Sequence, residues 1–204
     1  MVARLGIVSS STPNNAGSLL LAIGTTVTDA YNPTNTITNT NVSIADDPDI
    51  VGGKVAVFNA VGQTLTSKSA PKLTGDFTIQ VVFQQNALIG SHQAVWMLSS
   101  TLLLHIQGGS RQLFLRINGS YYGLSFACTS TTWCRTTVQR VGSTLTTYVN
   151  GVSVSVNSLP GTVNSLGDGV DIGRGTEGGT IFPFGGYIRS LLIHSGPVPS
   201  GFVV

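Results

Sequence analysis

The chain has 204 residues, enough for one large domain, and only 9% of them are charged, against roughly 25% in an average soluble domain. Its net charge of +2 comes from ten scattered basic and eight acidic residues; without a Lys/Arg run to follow a phosphate backbone, nucleic acid is not an expected partner. No window is apolar enough to span a bilayer, and Met1 to Ser11 is too broken for a signal-peptide core, so a membrane is not expected and synthesis in the cytosol is.

Residues Met1 to Gly17 precede the first expected strand, Ser18 to Ala22, and read either as an arm that orders on a partner surface or as a fraying terminus. The remainder, 18–204, shows no internal repeat and no change of composition, which predicts a single domain. Thr25 to Asp49 is rich in Thr and Asn and interrupted by Pro33 and Pro48, and is expected to be a long, partly extended connection.

Period-two alternation then takes over. Phe77, Ile79, Val81 and Phe83 face one way and Thr78, Gln80 and Gln84 the other, the pattern of a half-buried strand. The same alternation sets Leu102, Leu104 and Ile106 against Leu103 and His105. It recurs in Leu113, Leu115 and Ile117 against Phe114 and Arg116, and in Val152, Val154 and Val156 against Ser153 and Ser155. Asn118-Gly119, Asn150-Gly151 and Asp168-Gly169 supply the positive φ angles of tight hairpins. Nothing comparable repeats at helical spacing. Many short strands with 25 glycines between and within them predict an all-β, two-sheet antiparallel jelly-roll sandwich.

Cys128 and Cys134 are the only cysteines. Six positions apart, they read either as two buried thiols on adjoining strands or as a disulfide closing a short loop.

Four segments in order resemble the laminin-G-like domains of the concanavalin A-like lectin/glucanase superfamily, in the form met in bacteriophage virion proteins. The first is Ser18-Leu19-Leu20-Leu21 followed by Gly52 to Asn59. The second is Gly75-Asp76-Phe77-Thr78-Ile79-Gln80-Val81-Val82-Phe83. The third runs from Trp133-Cys134-Arg135 through Arg140, Gly142 and Leu145 to Tyr148-Val149-Asn150-Gly151. The last is Asp171-Ile172-Gly173 with Phe184-Gly185-Gly186 to Ile193. Cys134 stands where that family often has a His. The resemblance implies a concanavalin A-like sandwich over roughly Ser18 to Ile193.

Glucanases of that superfamily need two carboxyl groups flanking a glycosidic bond, whereas the chain has one glutamate, Glu177, expected in a glycine-rich loop. No Gly-x-Ser-x-Gly elbow accompanies the serines, and His105 and His194 read as exposed or capped side chains rather than bases. The chain is therefore expected not to be an enzyme. Asp46, Asp47 and Asp49 are the only acidic cluster; the alternatives are a calcium loop, which such domains often carry, and an Asp-Pro turn with solvated carboxylates. Otherwise no cofactor is expected. A sugar site needs an aromatic platform with polar groups at its rim. Tyr121, Tyr122 and Arg174 are the candidates, one of the consecutive tyrosines having to face outward. Trp133 and Tyr187 are expected in the core.

The resemblance, the charge-poor surface and the missing leader together predict a structural protein of a phage virion. It would be a capsid decoration or cement protein, or a tail-associated adhesion module. Its partners would be other virion proteins, and it would form a homo-oligomer, trimers being common among such modules. The alternative is a lectin-like module that recognises a cell-surface glycan.

Overall fold

The computed structural model describes residues 18–86, 89–108, 110–128, 132–163 and 169–197. The expected arm, Met1 to Gly17, and Asp168 of the third turn signal lie outside the described residues. Every strand pairing is antiparallel, and the strands form two large sheets and a hairpin.

The first sheet has nine strands. Across it run β14 (Val152–Ser158), β13 (Thr144–Val149), β12 (Cys134–Val141), β7 (Phe77–Gln85), β18 (Gly186–Ser195), β1 (Ser18–Ile23) and β2 (Val27–Asp29). β5 (Lys54–Phe58) joins the same edge of β18 beyond β1, and β4 (Ser43–Asp46) pairs with β5. The second sheet has seven strands: β11 (Ser120–Ala127), β10 (Gln112–Ile117), β9 (Leu102–Gln107), β8 (His92–Leu98), β15 (Val170–Ile172), β6 (Thr64–Ser67) and β3 (Ile37–Thr40). The hairpin is β16 (Arg174–Glu177) with β17 (Thr180–Pro183). This is the antiparallel jelly-roll sandwich that the alternation predicts. The stretch Thr25 to Asp49 differs from expectation: its Thr- and Asn-rich segments supply β2, β3 and β4, because short outer strands need few apolar residues.

Local turn chemistry sets the registers. Asn118 and Gly119 have φ of 48° and 84°, and Asn150 and Gly151 have 52° and 85°. Each pair thus closes a two-residue hairpin, β10 to β11 with Ile117 opposite Ser120, and β13 to β14 with Val149 opposite Val152.

The period-two residues meet between the sheets. Phe77, Ile79, Val81 and Phe83 of one face Trp96, Leu98, Leu102, Leu104 and Ile106 of the other in a single buried cluster. Phe184 packs edge-on against Phe58 and Phe83, with centroids 5.9 and 6.0 Å apart. At the open side, where β1 passes into β2, the Asp29 carboxylate is 1% exposed. It accepts the backbone N–H groups of Leu20, Tyr31 and Asn32 and the side-chain amide of Asn35. Four donors on one carboxylate fix the path of the chain from the first sheet toward β3. Asp29→Ala leaves several of them buried without an acceptor and is expected to cost about 2–4 kcal/mol, read as a lower denaturant midpoint with an unchanged slope.

Candidate functional site

Strand alternation turns Ala94 on β8, Leu103 and His105 on β9, Phe114 and Arg116 on β10, and Tyr121 on β11 toward the outer face of the seven-stranded sheet. Register aligns them in rows, with Ala94, His105 and Phe114 in one and Leu103, Arg116 and Tyr121 in the next. The β16–β17 hairpin lies across this face. Gly175 permits the approach: a Cβ there would sit 2.6 Å from Cβ of Ala94 and 3.0 Å from Cδ1 of Leu103.

Glu177, which the sequence places in a loop, is the last residue of β16. Its carboxylate accepts the Tyr121 hydroxyl proton and pairs with Nη2 of Arg116 at 3.2 Å. The Arg116 guanidinium stands 5.7 Å from the Tyr121 ring centroid. The His105 ring stacks beside Tyr121, with centroids 5.7 Å apart and planes inclined by 28°, and packs edge-on to Phe114 at 5.5 Å. His92 lies 5.4 Å from His105 and 5.8 Å from Phe182 of β17. The result is an aromatic patch with an acid, a guanidinium and a phenol at one end.

His105 departs from the expected exposed or capped side chain. It is 4% exposed, since the hairpin and the surrounding rings cover it. Burial, followed by the charge of His92, lowers its pKa from 6.5 to about 4. His194 is capped as expected, its Nδ1 2.6 Å from the Ser18 hydroxyl.

The tyrosine pair divides as strand geometry requires. Tyr121 is 51% exposed, whereas Tyr122 is half-buried against the core. Burial raises the pKa of the Tyr121 phenol first, and its bond to Glu177 second. Arg174 sits at the start of β16 opposite Pro183. An odd offset from Glu177 turns it to the other face of the hairpin, so the fold does not join it to the Tyr121 group.

A second polar constellation lies on the nine-stranded sheet. Arg189 of β18 donates from Nε and Nη2 to the buried carboxylate of Asp47 at 2.5 and 2.7 Å, and from Nη2 to Asp49 at 3.3 Å. Its guanidinium stacks 3.8 Å above the Trp133 ring. The Trp133 indole N–H donates to Asp49, and Asp46 pairs with Lys54. The acidic cluster is thus engaged by cations and an indole. Among the described residues no three of His, Cys, Asp and Glu converge as a metal site. Trp133 and Tyr187, expected in the core, are half-buried at this surface with ring centroids 6.4 Å apart, because the indole N–H finds its acceptor on the rim. Cys128 and Cys134 form a disulfide with Cα atoms 6.2 Å apart, and Trp133 stands directly before the second sulfur.

No protein-family model matches the chain, and no curated protein matches it. Solved structures do. The binding domain of Paraclostridial Mosquitocidal Protein 1 superposes with a TM-score of 0.66 at 16% identity, over 90% of this chain and 49% of that one. Botulinum neurotoxin type C, whose penetration of cells depends on interaction with two ganglioside molecules, gives 0.65 at 12% identity, over 91% and 49%. Domain 4 of AbnA, a GH43 extracellular arabinanase from Geobacillus stearothermophilus solved with arabinotriose, gives 0.65 at 16% identity, over 90% and 95%. The chain spans about half the length of the toxin chains and nearly all of the arabinanase domain. At these identities the likeness is one of fold. It defines the class as an antiparallel β-sandwich shared with toxin binding domains and with domain 4 of an arabinanase.

Two outcomes follow from this geometry. The unfolded chain binds more protons at His105 than the folded one between pH 6.5 and about 4, so stability is full above that window and falls as pH drops through it. Melting temperatures measured from pH 7 to 4 are expected to fall less steeply for His105→Gln than for the parent chain. Replacing both cysteines by alanine removes a short loop closure and is expected to cost about 2 kcal/mol in denaturant titrations. It also frees the Trp133 segment, so tryptophan emission is expected to shift to the red.

Proposed function

We propose that the chain is a non-enzymatic carbohydrate-binding module whose site is the outer face of the seven-stranded sheet around Tyr121. The observation that carries the reading is the Tyr121 ring, half exposed yet held in place by Glu177, His105 and Arg116. A fixed aromatic face takes the C–H side of a sugar ring, while a carboxylate and a guanidinium at its edge take the hydroxyls. Little rotamer entropy remains to be lost on binding.

The neighbours support this reading, since one was solved with arabinotriose and another acts through gangliosides. The single glutamate supports binding over hydrolysis: Arg116 and Tyr121 engage its two oxygens, whereas glycoside hydrolysis needs two carboxyl groups flanking the bond. The disulfide suits a chain that works where the surroundings are oxidising, as at a cell surface or in the medium. The virion role, with Met1 to Gly17 as an anchoring arm and a homo-oligomeric assembly, rests on the sequence resemblance and the charge-poor composition alone.

A glycan array followed by calorimetry on the best ligand tests the proposal. Saturable binding is expected, at least tenfold weaker for Tyr121→Ala and weakened less for Tyr121→Phe, which keeps the ring but loses the bond to Glu177. Absence of any saturable glycan, or equal affinity after Tyr121→Ala, rejects it.

A further inference from the structure

At the opposite margin of the seven-stranded sheet, the loop between β2 and β3 and the turn after β6 enclose an open groove of about 500 Å³. That volume suits a small ligand. Asn32, Thr34, Asn35, Thr36, Thr38, Lys68 and Ser69 line it. The lining holds no aromatic or aliphatic residue and no carboxylate, so its apolar surface is limited to threonine methyls and the lysine stem, and no lining side chain repels an anion. What it offers is amides, hydroxyls and one ammonium group. β3 is also the outermost strand of its sheet, so one side of its backbone adds unpaired ladder groups next to Thr38.

The wall is built before any ligand arrives. Asn35 Nδ2 lies within 3.0 Å of Asp29 Oδ2, Ser67 Oγ and Ser69 O, and the Thr34 hydroxyl donates to Asn32 Oδ1 at 2.7 Å. The Asp29 charge behind the wall is spent on four donors. The Thr36 and Thr38 hydroxyls have no hydrogen-bond partner among the described residues, and Lys68 has no ion-pair partner among them. Lys68 is therefore the one uncommitted charge in the groove.

We infer that this groove is a second binding site, for a short saccharide that carries a carboxylate, with Lys68 pairing the carboxylate and Asn32, Thr36 and Thr38 bonding the hydroxyls. Six strand spacings separate β3 from β11 in the sheet order, about 30 Å, so the groove and the Tyr121 patch act independently.

The experiment is an amide-resolved NMR titration with trigalacturonate and, separately, with its methyl ester, which keeps the hydroxyls and removes the charge. Trigalacturonate is expected to shift the amides of Asn32 and of residues 34–38 and 68–69 in a saturable way, and the ester to bind at least fivefold more weakly. Lys68→Gln is expected to abolish that difference, and Lys68→Arg to restore it in part. Tyr121→Ala is expected to leave all of this unchanged, so failure of the Tyr121 site and failure of the groove read out separately. No saturable shift in the groove, equal affinity for acid and ester, or a Lys68→Gln variant that still prefers the acid overturns the inference.

Discussion

The fold depends on the placement of one strand. β18 is the last strand among the described residues, yet it lies in the middle of the nine-stranded sheet, paired along one side to β7 and along the other to β1 and β5. Its inward residues Ile188, Leu191 and Ile193 are fully buried and bridge the core between those neighbours. Until it docks, β7 and β1 each present an open edge and the aromatic cluster around Phe184 has no lid. Pairings of such long sequence separation close late and cooperatively, which makes the sandwich an all-or-none object more than a set of hairpins.

β18 also connects the two polar surfaces. Gly186 opens it just after Phe184, which follows the hairpin that straps the outer face of the second sheet, and Arg189 further along gathers Asp47, Asp49 and Trp133. The patch at Tyr121 is shaped by the strap and the rim at Trp133 by the disulfide segment. Both surfaces gather charges that are few in this sequence, 9% of the residues. The Arg116–Glu177 pair is partly exposed and adds little stability, whereas Asp47 is buried and depends on Arg189 for its partner. Their worth lies in holding rings at fixed angles.

What could be read from the residues was whatever is local. Alternation over Phe77 to Phe83 and over Leu102 to Ile106 reports which side chains turn inward, and Asn118-Gly119 and Asn150-Gly151 report the hairpins, because strand pleat and turn φ are decided within a few residues. Alternation also separates Tyr121 from Tyr122. It is silent on what covers the other face. Alternation sets His105 on the face opposite Leu104, but the strap that buries it comes from Gly175 and Glu177, about seventy positions downstream. The acidic cluster was misleading for the same reason: the cation that claims Asp47 is Arg189, separated by 142 positions. Thr25 to Asp49 lacked the apolar period because its strands lie at or next to sheet edges, where pairing and not packing holds them.

The Ser18 to His194 pairing has an implication for handling the molecule. Among the described residues the first and last strands run side by side and antiparallel, so Ser18 and His194 are neighbouring points of one sheet. A short tether joining those points, with the chain reopened at the Asn150-Gly151 bend, would keep the strand ladders and leave Tyr121 untouched while moving the attachment point to the other end of the nine-stranded sheet. Such a rewired form would let the same sandwich be displayed on a support in either of two orientations.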